Sequence, residues 1–82
     1  RRGRVMTTHF TGRVTGKKGN TLFKSGVHTS REECVKECFA AKPRAQTCST
    51  SEVTLETRGG IEYVVDASRD IRWHNRAAQE AK

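Results

Sequence analysis

Between Thr7 and Thr15 the chain alternates, with Phe10 and Val14 on one side around Gly12 and with Thr11, Arg13 and Thr15 on the other. A period of two in β-branched and aromatic residues predicts a β-strand. Gly16-Lys17-Lys18-Gly19-Asn20 follows, and its glycines and asparagine tolerate the positive φ of a turn. Thr21 to Val27 is again extended in pattern, with Phe23 and Val27 on one face and Leu22 and Lys24 on the other. Two such runs joined by a short glycine-rich loop predict a β-hairpin whose tip is a pair of lysines.

The period then changes. Cys34, Val35, Cys38, Phe39 and Ala41 recur at helical spacing. Ser30 is placed to cap that helix, Glu33 is its reciprocal partner, and Glu32 and Glu33 suit the positive end of the helix dipole. Pro43 ends the run, so the helix is expected from Arg31 to Lys42. Arg44 to Ser51 is polar and without period, which reads as a loop. From Glu52 to Arg58 the alternation returns, with Val53, Leu55 and Thr57 inward and Glu52, Thr54, Glu56 and Arg58 outward. Gly59-Gly60 is a tight-turn pair, and Ile61 to Asp66 forms the partner strand with Ile61, Tyr63 and Val65 on one face. Ser68 can cap a last helix, with Asp70 in its first turn, running to about Gln79. Its apolar content is Ile71, Trp73 and alanines, which predicts weak docking.

The elements add up to an α+β fold of two antiparallel β-hairpins in one four-stranded sheet, in the order ββαββα. The main helix packs on one face of that sheet. The other face is left open, or is covered by the last helix or by a second subunit in a homodimer. Eighty-two residues hold one core, and 33% hydrophobic content makes it thin against the roughly 45–50% of ordinary globular chains. One domain is expected over 7–80, preceded by a flexible basic segment over 1–6.

Charge changes the picture more than composition does. Residues 1–31 carry Arg1, Arg2, Arg4, Arg13, Lys17, Lys18, Lys24 and Arg31 and no acid, a charge of +8. The other 51 residues hold eight bases and nine acids, hence −1, so the whole net charge of +7 lies at the front. Were Met6 the natural start, the contrast would shrink to +5 against −1 and keep its sign. Such an imbalance points to an anionic partner, with nucleic acid foremost and an anionic membrane or an acidic protein behind it. No apolar run is long enough for a membrane span or a signal peptide, and three cysteines at irregular spacing read as reduced thiols. A cytoplasmic location is expected.

The basic hairpin is the candidate site. Arg13, Lys17, Lys18 and Lys24, with Arg31 behind them, are placed to meet phosphates and release counterions. Gly16 and Gly19 permit close backbone approach, and Asn20 with Thr11, Thr15 and Thr21 adds polar contacts. A two-stranded ribbon fits the major groove, where Arg13 or Asn20 can read base edges. The plainer alternative is that the lysines only protect a sheet edge. Most rings take core-facing positions, and Trp73 with Arg72, His74, Asn75 and Arg76 on the last helix reads as a packing edge in preference to a second contact surface. Duplex DNA is therefore favoured over RNA or stacked single strands.

Other constellations read as structure. Cys34 and Cys38, with His28 or Cys48, offer zinc donors. The spacing is not that of a zinc knuckle, however, and both thiols lie on the apolar stripe, so core packing is the better reading. Glu52, Glu56, Glu62 and Asp66 read as a solvated acidic surface. No catalytic group and no cofactor is implied. The sequence thus points to a small non-enzymatic nucleic-acid-binding protein using Arg13, Lys17, Lys18, Asn20, Lys24 and Arg31. An adaptor or inhibitor for an acidic protein surface is the alternative.

Overall fold

The computed structural model describes residues 5–80. Strand β1 (Val5–Thr15) is the axis of the molecule because both its edges are paired. On one side lies β2 (Thr21–Lys24), with Val14 opposite Phe23. On the other lies β3 (Thr47–Arg58), in register from Val5 opposite Thr57 to Arg13 opposite Ser49. Beyond β3 runs β4 (Ile61–His74), which gives the antiparallel sheet order β2-β1-β3-β4. Helix α1 (Arg31–Ala41) lies across β1 and β3, and the short α2 (Arg76–Glu80) closes the described chain.

The mixed α+β class, the antiparallel sheet and the single main helix match the expectation. The strand arrangement differs. After β2 the chain makes a further antiparallel rung, in which Phe10 and His28 exchange two backbone hydrogen bonds of 2.8 Å. Five extended segments therefore meet in the sheet, the fifth standing between β2 and α1, so four strands in the order ββαββα was too simple.

The second hairpin is longer than its alternation implied. Thr47 to Thr50, in the stretch expected as a loop, pairs with Ile71 to His74, expected as helix. The two departures have one cause. The buried positions of this part of β3 are Cys48, Thr50 and Ser51, small or polar residues that do not register as a core stripe. Thr50 is fully buried and satisfied: its hydroxyl accepts from Trp73 Nε1 at 2.8 Å and from Arg31 at 2.9 Å, and it donates to the Ile71 carbonyl at 3.4 Å. Twice along this pairing β4 holds one residue more than β3, between Val64 and Asp66 and between Ser68 and Ile71. Such bulges bend and twist a strand, and they curl this sheet. Glu56, expected outward, is 5% exposed within the curl, and its carboxylate stands 3.6 Å from Arg58. Of the expected basic lead-in over 1–6, residues 1–4 lie outside the described residues, while Val5 and Met6 already belong to β1.

Helix α1 begins where its cap predicts. Ser30 is extended and its hydroxyl accepts from the Glu33 amide at 3.3 Å. Lys42 ends the helix by donating its N–H to the Cys38 carbonyl at 2.9 Å. The buried face of α1 is Cys34 and Cys38, set directly over Gly12. Val14, Cys38 and Cys48 form the core, with Phe23, Phe39 and Trp73 packed half-buried around it. The segment after β2 is tied to α1 through Glu37, whose carboxylate meets His28 Nε2 at 2.6 Å and accepts from the Gly26 amide at 3.2 Å. Both contacts hold that carboxyl below the usual range.

Candidate nucleic-acid interface

The six residues expected to form a footprint are not brought together on one surface. Arg13 turns to the sheet face away from α1, where it meets Asp70 at 3.0 Å and donates to the Ser51 hydroxyl at 3.3 Å. Ser51 in turn donates to the other oxygen of Asp70. That hydroxyl, followed by the charges of Arg13 and Arg31, keeps the Asp70 carboxyl below its ordinary value. Arg31 is a structural tie. It donates to both oxygens of Thr50, at 3.2 and 2.9 Å, lies 3.9 Å from Glu52, and sits 4.8 Å over the Phe10 ring. With only 15% of its side chain exposed, it belongs to the joint between α1 and β3.

Lys17, Lys18 and Asn20 do stand in solvent at the tip of the first hairpin. The turn is set by the Gly16 amide donating to the Asn20 carbonyl at 2.7 Å and by Gly19 at φ 85°. Lys24 is exposed too, but it faces with Arg13 a separate hollow of about 340 Å³ over Val53 and Val64.

Beside the tip, the structure assembles basic residues that sequence order keeps apart. Two adjoining depressions share Val14, Leu22 and Ala45 as their floor. The first, of about 480 Å³, is bounded by the loop after α1, with Lys42, Pro43 and Arg44. Lys17, Thr47 and Arg72 bound the second. No acid stands among the described residues lining either one, and among the described residues no ion pair engages Lys17, Lys42, Arg44 or Arg72. Asn75, 6% exposed, fixes the loop in place. Its side-chain amide donates to the carbonyls of Pro43 and Ala45 at 3.0 and 2.9 Å, and its backbone N–H to that of Gln46 at 2.8 Å.

Sequence reasoning missed Lys42 and Arg44 and set Arg72 aside as part of a packing edge, for separate reasons. The first two flank a helix stop and carry no pattern of their own. Arg72 fell in a stretch assigned to a helix, which would have pointed it elsewhere. The one signal available was Asn75, a polar residue beside Trp73 with no evident surface role.

The three thiols are buried and free. Burial raises all of them, and Cys38, crowded by Cys48, is pushed up to about 12. Among the described residues no group of three or more His, Cys, Asp or Glu side chains is placed to hold a metal ion. Among the same residues no helix is long and apolar enough to cross a membrane. Comparison with known proteins finds no matching family, no matching curated protein and no matching solved structure.

Proposed function

We propose that this chain binds nucleic acid through the phosphate backbone, duplex DNA in the first place, and performs no chemistry on it. The observation that carries the reading is the pair of adjoining depressions bordered by Lys17, Lys42, Arg44 and Arg72, with no acid among the described residues lining them and with Lys18 next to them at the hairpin tip. Unpaired cations grouped on one surface release counterions together when they meet phosphates. Arg13 and Arg31 drop out of the footprint because acids of the same chain already face them. Three free thiols are in keeping with a reducing compartment such as the cytoplasm.

A second reading has its own observation. Ile61, Tyr63, Val64 and Val65 are all exposed on β4, the edge strand of the sheet. An apolar edge is a place where an extended segment of a partner protein, or a second copy of this chain, adds a strand.

Fluorescence anisotropy with random-sequence duplex DNA, single-stranded DNA and RNA at two salt concentrations tests the first reading. Micromolar duplex binding that weakens steeply with salt is expected. Absence of binding to all three at low salt would remove it and leave the protein partner in front.

A further inference from the structure

Contact with phosphates alone needs cations on wet, polar ground. The depression beside the loop after α1 is different, since its lining between Lys42 and Arg44 is apolar: Leu22, 49% exposed, faces Pro43 and Ala45. Its volume of about 480 Å³ falls within the roughly 300–1,000 Å³ of small-ligand sites, which are likewise mostly apolar with a few convergent polar groups. The floor is also preformed, because Asn75 holds the carbonyls of Pro43 and Ala45 and the Ala45 amide donates to the Lys42 carbonyl at 3.0 Å. An occupant that suits it has a flat, weakly polar body and negative charge on more than one side.

A nucleotide within a strand has that chemistry, provided its base is not stacked in a duplex. We infer that this trough holds one unpaired nucleotide, its base lying on Leu22, Pro43 and Ala45 and its flanking phosphates reaching Lys42, Arg44 and Arg72. The inference rests on the nucleic-acid reading and narrows it. The preferred ligand is a duplex with a single-stranded extension, gripped along its paired part by the lysines of the hairpin tip. Bases taken out of the stack are held by apolar side chains in this way, and an overhang avoids the cost of unpairing.

The test compares a blunt duplex, the same duplex with a three-nucleotide overhang, and one whose overhang is abasic. The abasic strand keeps every phosphate and removes only the bases. The overhang is expected to bind at least tenfold tighter than the blunt duplex, and the abasic overhang to lose that advantage. Leu22→Ser, at a half-exposed position outside the buried core, is expected to lose it too, read as the ratio of overhang to blunt-duplex affinity within the same variant. Equal affinity for blunt and overhanging duplexes, an abasic overhang as tight as the normal one, or an unchanged preference in Leu22→Ser would each overturn the inference. All of these results leave backbone binding standing. Only the absence of salt-sensitive binding to any of the three duplexes would remove the broader reading.

Discussion

Gly12 on β1 lies so close beneath Cys38 on α1 that a Cβ at position 12 would stand 3.1 Å from the sulfur. The same Cβ would stand 3.1 Å from that of Cys34. The helix therefore rests on the sheet at a point where any side chain would push its neighbours back by a few tenths of an ångström. Ser25 fixes the strand beneath it, since its hydroxyl accepts from the Gly12 amide and its own N–H donates to the Gly12 carbonyl, both at 2.8 Å.

Gly12→Ala is accordingly expected to destabilise the protein by about 1–3 kcal/mol, the usual cost of overpacking. Alanine elsewhere gains about 0.4–1 kcal/mol from a less flexible unfolded chain, so the sign of the change is itself informative. Urea unfolding measures it, as a lower midpoint with an unchanged slope. A midpoint equal to or above that of the wild type would show that α1 is not seated on Gly12.

Burial of Cys34, Cys38 and Cys48 makes a prediction about reactivity. The thiolate is the nucleophile, and all three thiols are raised, Cys38 to about 12. At pH 8 the folded protein is expected to leave an aromatic disulfide reagent almost untouched over minutes, while the protein in urea releases three equivalents. Fast labelling of the folded protein would contradict the packing.

Two carboxyls set the acid limit. Asp70 and Glu37 are both held below their ordinary values, by Ser51 and Arg13 for the one and by His28 for the other. A carboxyl with a depressed folded value contributes stability that is complete above its unfolded value and is lost as pH falls through the folded one. The melting temperature is therefore expected to hold from pH 7 to about pH 5 and to fall below about pH 4. Asp70→Asn is expected to flatten part of that fall. It also releases Arg13 toward solvent, so the same variant is expected to bind duplex DNA more tightly at neutral pH. Weaker binding would contradict the internal pairing of Arg13.

Asn75 joins stability to the trough. Asn75→Ala leaves the carbonyls of Pro43 and Ala45 without their donor and is expected to cost about 1–3 kcal/mol. It is also expected to weaken binding to an overhanging duplex more than to a blunt one, because the floor loosens while the hairpin tip is unaffected. Equal weakening of both would separate Asn75 from the trough.

What the sequence made legible was local. The Ser30 cap, the glycine turns and the alternation of Val53 and Leu55 act over a few residues, and each appears where its pattern lay. The far half of the second hairpin was hidden because its core-facing side chain is Thr50, whose burial rests on bonds to Arg31 and Trp73 from distant elements. Asp70 has the features of a helix-start residue, and the fold uses it to hold Arg13. Charge counting treats every cation as solvent-facing, so it credited Arg13 and Arg31 to a surface, overlooked Arg44 and left Arg72 to a packing edge. Those two border adjoining depressions, beside a loop that Asn75 holds in place.

The most direct measurement is the salt dependence of duplex binding for the wild type and for a variant with Lys17, Lys18, Arg44 and Arg72 all changed to glutamine. Each lost phosphate contact lowers the slope of log affinity against log salt by about 0.9. The variant is expected to bind far more weakly, with a slope shallower by roughly 3 to 4. A variant that keeps the wild-type affinity and slope would show that the phosphates are held elsewhere on the molecule.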